Sequence, residues 1–90
     1  MSLIEEYKNT FGLPKTHSLE LISEKVRRKK GDDNEKFVFA EYNESHEKIA
    51  TYTVISNQQI YPPHKSYSKI TKTTADGDVI VLEETERVFP

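Results

Sequence analysis

The side chains that could do acid-base or metal chemistry are scattered along this sequence. The three histidines, His17, His46 and His64, all fall in predicted turns or loops and have no metal-ligand spacing among themselves. A zinc site usually draws on a close pair of Cys or His residues, and the chain has no cysteine. We therefore predict neither a metal site nor a cofactor site.

The carboxylates indicate no catalytic pair either. On a strand, Glu84 and Glu86 share one face and Glu83 lies on the other. Paired carboxylates can act as acid and base, but such a run is typical of a solvated strand face. The chain also has no nucleophile motif of the G-x-S-x-G type and no glycine-rich phosphate loop. We expect no catalytic residues and no enzymatic activity.

A basic cluster occupies residues 25–30, where five of the six residues are Lys or Arg, and an acidic run follows Gly31. Such a cluster could contact phosphates while sheet aromatics stack on bases. The acids that follow would repel the same phosphates, and the net charge of −2 gives no general attraction to nucleic acid. A charged helix end or strand edge is the favoured explanation of the cluster, because such basic clusters are common and are weak evidence of nucleic-acid binding. The nucleic-acid hypothesis is therefore the alternative, and its residues are Lys25, Arg27, Arg28, Lys29 and Lys30.

Length and composition predict one small folded domain, residues 1–90. Leu, Ile, Val and Phe make up about 24% of the chain, above the ~20% below which chains tend to stay unfolded. The core is thin, and a thin core at this size often recruits a partner or a second copy. The first residues are too acidic for a secretory signal, and no apolar run is long enough to span a membrane. We expect a cytoplasmic protein.

The N-terminal residues predict a short helix. Ser2 and Glu5 have the spacing of a capping box, and Gly12 and Pro14 follow the last helical residue. Because such a short helix is marginal alone, it must pack on a sheet. The apolar residues near one face are Leu3, Ile4, Tyr7 and Phe11.

Residues 17–30 have two possible structures. As a helix, Leu19, Ile22 and Val26 share a face and the bases crowd the C-terminal end. As a strand, Leu19 and Leu21 alternate with charged residues, and residues 31–34 form the turn of a long hairpin. The sequence leaves both open.

Residues 36–43 and 49–56 have the β-branched and aromatic content of strands joined by a turn. Phe37 and Phe39 point to one side of the first strand, and Val38, Ala40 and Tyr42 to the other. Strands with two apolar faces need cover on both sides, so we expect the helix on one side and a protein surface on the other. The predicted contact residues for a partner are the aromatics Phe37, Phe39, Tyr42 and Tyr52.

The last two strands are predicted to flank a tight turn at Asp76-Gly77, a dipeptide typical of two-residue type I′ hairpins. This turn pairs Thr73 with Ile80, Thr71 with Leu82 and Lys69 with Glu84. The Lys69–Glu84 pair joins opposite charges, which supports the register. Residues 57–67, which contain two prolines, are predicted to be a connecting loop.

Together these patterns predict an α+β fold, with an N-terminal helix packed on a mainly antiparallel sheet of four or five strands that ends in a β-hairpin. The predicted function is that of a small non-enzymatic cytoplasmic binding or regulatory module. It would act through protein-protein contact or self-association as a homodimer. We expect no cofactor and no association with a membrane. The alternative function is nucleic-acid binding.

Overall fold

The computed structural model describes residues 3–29, 32–59, 61 and 64–89. Five strands form one antiparallel sheet in the order β1-β2-β3-β4-β5, and a single helix precedes them in the chain. The predicted α+β fold is therefore confirmed, with five strands rather than four. The elements are α1 (Leu3–Phe11), β1 (Ser18–Lys29), β2 (Asp32–Tyr42), β3 (Lys48–Gln59), β4 (His64–Thr74) and β5 (Val79–Phe89).

Helix α1 ends where the sequence predicts. Gly12 has a φ of 72°, a left-handed conformation that glycine adopts without strain. The Gly12 and Leu13 N–H groups donate to the carbonyls of Asn9 (3.2 Å) and Lys8 (3.0 Å), which satisfies the last turn of the helix. The predicted cap, Ser2, lies outside the described residues.

Residues 18–29 form a strand, so the helical alternative for this segment is wrong. Strand β1 pairs with β2 along nearly its whole length, with one bulge between Leu21 and Ser23. The local sequence fits a helix and a strand about equally well, and the long-range pairing with β2 selects the strand. Arg28 lies opposite Asp33, so part of the basic cluster is beside acids, as a hairpin requires. The predicted turn at 31–34 is shorter, because β2 already begins at Asp32.

The core lies between α1 and one face of the sheet, which we call the covered face. Phe11 stacks on Tyr52 with ring centroids 4.2 Å apart, and Tyr7 lies 4.9 Å from Phe39. Such aromatic pairs add about 0.5–1.5 kcal/mol each beyond the area they bury. The buried members of the apolar cluster are Leu19, Phe39, Ala50, Tyr52, Val54 and Ile70.

The final hairpin has a different turn from the one predicted. The Gly77 N–H donates to the Thr74 carbonyl (3.0 Å), Thr74 and Asp78 are paired, and Gly77 has a φ of 92°. This is a loop of three residues closed by a left-handed glycine, not a two-residue type I′ turn.

The changed loop shifts the register near the turn. Thr73 pairs with Val79 and Thr71 with Val81, so the predicted pairs Thr73–Ile80 and Thr71–Leu82 are wrong. A bulge at Leu82 then restores the predicted register. The Lys69–Glu84 pair is confirmed, with Nζ and Oε2 3.8 Å apart.

Most of the predicted loop at 57–67 is strand. Strand β3 continues to Gln59 and β4 begins at His64, and Asn57 pairs with Tyr67. The loop prediction took the two prolines as its centre and extended too far on each side. The prolines themselves lie outside the described residues.

Candidate protein-binding surface

The face of the sheet opposite α1, which we call the outer face, has no helix or strand packed over it among the described residues. Paired residues of neighbouring strands share a face, so the register defines its rows. Two rows at its centre, which begin on β1 with Glu20 and Ser23, hold only apolar and threonine side chains on β2 to β5. They are Ala40, Thr51, Thr73 and Val79, and then Val38, Thr53, Thr71 and Val81.

The apolar side chains of the outer face are open to solvent towards β5. Val79 and Val81 are 66% and 51% exposed, and Ile55 at the centre of the sheet is 37% exposed. Single exposed apolar residues are ordinary, whereas a contiguous patch rimmed by polar residues is typical of an interaction site. These residues therefore form a candidate contact surface together with the threonine methyl groups.

Charged residues of opposite sign lie at the two edges of the outer face, on either side of Ile55. The row through Ile55 carries Lys25 on β1, and Glu84 on β5 at the opposite edge of the sheet. In a further row Arg27 on β1 is level with Glu86 on β5. In these two rows the β1 edge of the outer face is therefore basic and the β5 edge acidic, while Glu20 on β1 lies level with Val79 at the other end of the face.

Three of the four aromatics predicted to contact a partner lie on the covered face. Phe39 and Tyr52 are buried, at 0% and 2% exposure, beneath α1, and Phe37 is half-buried beside them. Only Tyr42 lies on the outer face, where hydrogen bonding to the Glu20 carboxylate raises the pKa of its hydroxyl. The contact surface itself stays a prediction, and Tyr42 is the one predicted aromatic placed to contribute to it.

The basic cluster is divided between the two faces, because neighbouring residues of a strand alternate. Lys25 and Arg27 point to the outer face, and Arg28 to the covered face opposite Asp33. Lys30 and the side chain of Lys29 lie outside the described part of the structure. The bases on the outer face are thus separated by the sheet from the buried aromatics that were predicted to stack on nucleotides.

A buried hydrogen-bonded group was not predicted. Glu41 is 4% exposed and accepts a hydrogen bond from the Tyr52 hydroxyl (2.7 Å), while His17 Nδ1 lies 2.5 Å from its other oxygen. Burial and the contact with Glu41 raise the pKa of Tyr52 far above its usual value. Because side chains alternate along β2, Glu41 falls on the same side of the strand as Phe39. An acidic residue on an otherwise apolar face is the sequence signal that could have revealed this hydrogen-bonded group.

This group connects distant segments rather than forming an open cleft. His17 belongs to the connection between α1 and β1, and Glu41 and Tyr52 lie on β2 and β3. The carboxylate therefore holds the connection onto the sheet. A carboxylate so completely enclosed has no surface to offer a substrate.

Among the described residues no three His, Asp or Glu side chains come together as a metal site. The helix in this part of the chain is too short and too polar to cross a membrane. No family model, curated protein or solved structure matches the chain. Its function must therefore be inferred from its own residues.

Proposed function

We propose that this protein is a small non-enzymatic binding module, acting in the cytoplasm, that contacts a protein surface through its outer face. The observation that carries the proposal is the uncovered part of that face, with valine, isoleucine and threonine side chains. Burying such side chains is favourable by about 25 cal/mol for each Å² of apolar surface removed from water. A second protein surface packed on this face would remove these side chains from water, and the complex would be stabilised by that free energy.

The side chains of the outer face also suit close approach. Sheets that pack face to face lie about 10 Å apart, and on β2 to β5 the two central rows hold nothing larger than valine or threonine. Threonine hydroxyls on the rows can bond to water or to polar groups of the partner. The face is therefore able to bind another protein and remain hydrated without it.

Two further observations support a non-enzymatic module of the cytoplasm. The hydrogen-bonded group at Glu41 is enclosed, and its Tyr52 hydroxyl donates to the Glu41 carboxylate. The chain contains no cysteine, which suits a reducing compartment where disulfides do not form.

The proposal is tested by photo-crosslinking in cells that produce the protein. A photoreactive amino acid replaces Thr53, at the centre of the outer face, or Asn9, which is exposed on α1 and serves as the control. We expect a discrete crosslinked protein with the probe at 53 and not at 9. Crosslinking at 53 no greater than at 9 would contradict the proposal.

One observation favours a second candidate function, nucleic-acid binding. Lys25, Arg27 and Lys36 border a shallow cleft on the outer face, and Lys25 lies directly opposite Lys36. Like charges opposite each other on a sheet are unfavourable and would be relieved by a bound anion. The cleft is thus a possible phosphate site.

This second candidate predicts that affinity for a single-stranded oligonucleotide falls steeply as salt rises. Arg27→Ala should reduce the slope of log affinity against log salt by about one. Arg28→Ala is the matched control, because Arg28 lies on the covered face. Salt-insensitive binding, or equal effects of the two variants, would remove this candidate.

A further inference from the structure

We propose that the outer face binds a second copy of this chain, sheet against sheet, about a two-fold axis that runs parallel to β3. The inference rests on the proposed function and deepens it, since it names the protein that covers the face. It is carried by the arrangement of charges, by the area of the face and by the character of the two sheet edges.

The geometry of the axis determines which residues meet. A two-fold axis along β3 keeps the strands parallel to themselves and reverses their order, so β1 lies over β5 of the copy and β3 over β3. Each residue keeps its position along the strand direction, so every row of one sheet faces the same row of the copy. Ile55 therefore meets Ile55 of the copy, and Thr53 meets its counterpart, at the centre of the interface.

The same axis brings opposite charges together at both edges. Lys25 lies level with Glu84 in the sheet, and Arg27 level with Glu86, so each base of β1 faces the matching acid of the copy. The symmetry makes every pair occur twice. Packed sheets are turned by about 30° because of their twist, an offset that the long side chains of Lys and Arg can span.

On each side of the axis, one pair of like charges accompanies the two attractive pairs in the same rows: Lys36 faces Lys69 of the copy. The Lys69 ammonium is already 3.8 Å from Glu84 of its own chain. The repulsion is therefore partly neutralised within each chain.

An axis across the strands fits less well. It would place β5 antiparallel over β5 of the copy, with its acidic end, Glu84 and Glu86, over the apolar end, Val79 and Val81. Carboxylates would then lose water against apolar side chains without gaining a partner, which is costly. The axis along β3 gives Glu84 and Glu86 basic partners instead, and of the carboxylates in these rows only Glu20 then lies opposite an apolar side chain, Val79 of the copy.

The two edges of the sheet are poor sites for adding a strand. A bulge interrupts β1 at Ile22 and β5 at Leu82, and bases line β1. Bulges and charged side chains are the devices by which natural sheets block edge-to-edge pairing. Because both edges are blocked, the outer face is the surface through which two copies can associate.

The area of the face is sufficient for a stable dimer. Five strands of 11 or 12 residues at about 3.3 Å per residue, each about 4.8 Å wide, give a face of about 900 Å². Stable interfaces bury about 800 Å² on each partner. A face-to-face dimer would use nearly the whole outer face.

The test reverses charges on the full chain and measures mass by sedimentation velocity. The acidic variant carries Lys25→Glu and Arg27→Glu, and the basic variant carries Glu84→Lys and Glu86→Lys. We expect the wild type to be a dimer and each variant alone to dissociate at least about tenfold more readily, because like charges now face each other. Mixing the variants should restore the dimer, since every pair is again of opposite charge.

Variants changed on the covered face of β5, Glu83→Lys and Arg87→Glu, are the controls and should each dimerise like the wild type. Restoration on mixing also shows that both double variants are folded. A monomeric wild type, or a mixture that does not regain the mass of a dimer, would overturn the inference. If the probe at residue 53 then still crosslinks to a different protein, the proposed function stands and only the second copy is rejected.

Discussion

At the scale of single residues, Glu41 has the most constrained setting in the described structure. Its carboxylate is enclosed between Tyr52 and His17, and a buried polar group left without a partner costs about 1–3 kcal/mol. Alternation along β2 puts Glu41 on the side of Phe37 and Phe39 but does not indicate its partners. Those partners come from another strand and from a connection whose path the sequence does not specify.

Replacing Glu41 with Ala should lower the free energy of unfolding by about 2–4 kcal/mol, since the Tyr52 hydroxyl loses its acceptor inside the core. Glu44→Ala, in the exposed turn after β2, is the control and should change it by less than about 0.5 kcal/mol. Urea denaturation followed by circular dichroism measures both. Equal stability of the two variants would show that Glu41 is not a structural acceptor.

Tyr52 should make the protein sensitive to alkaline pH. Burial and the hydrogen bond to Glu41 raise its folded-state pKa, whereas an unfolded tyrosine titrates near about 10. Its contribution to stability is therefore complete below about pH 10 and falls above it, at up to about 1.4 kcal/mol per pH unit.

Tyr52→Phe removes this contribution. Urea midpoints measured from pH 9 to 11.5 should fall less steeply for the variant than for the wild type, because phenylalanine has no hydroxyl to ionise. Parallel curves would contradict the assignment of the alkaline effect to Tyr52.

At the scale of elements, the final hairpin shows what local sequence can and cannot predict. The far half was predicted correctly because the Lys69–Glu84 charge pair marks its register. The near half was wrong because Val79, Ile80, Val81 and Leu82 are all apolar, so no polar residue marks the bulge. Residues 18–29 were ambiguous for a related reason, since only pairing with β2 selects the strand.

Gly77→Ala should destabilise the hairpin by about 1 kcal/mol. No atom would clash with the added methyl group, so the cost comes from the φ of 92°, which non-glycine residues adopt with strain. The Asp76→Ala variant in the same loop is the control and should unfold within about 2 °C of the wild type. An unchanged melting temperature for Gly77→Ala would show that the loop has another conformation.

At the scale of the whole molecule, the described residues form a sheet with one face covered by α1 and no helix or strand packed over the other. The alternation of β2 predicted two apolar faces, and the structure places α1 on the face with Phe37 and Phe39. The choice of face was not predictable from alternation alone, which groups residues by side without saying which side the helix covers. For that reason the large aromatics were assigned to a partner, while the outer face is built from smaller side chains.

The most direct test of this account is the mass of the protein by light scattering, at low salt and at about 0.5 M salt, where exposed charges are largely screened. Ile55→Glu puts like charges on the proposed axis, and Ile80→Glu, at a similarly exposed site on the covered face, is the control. We predict twice the 10.5 kDa of one chain for the wild type and Ile80→Glu at both salt concentrations, and one chain for a folded Ile55→Glu. A mass of 10.5 kDa for the wild type at every protein concentration would contradict self-association through the outer face.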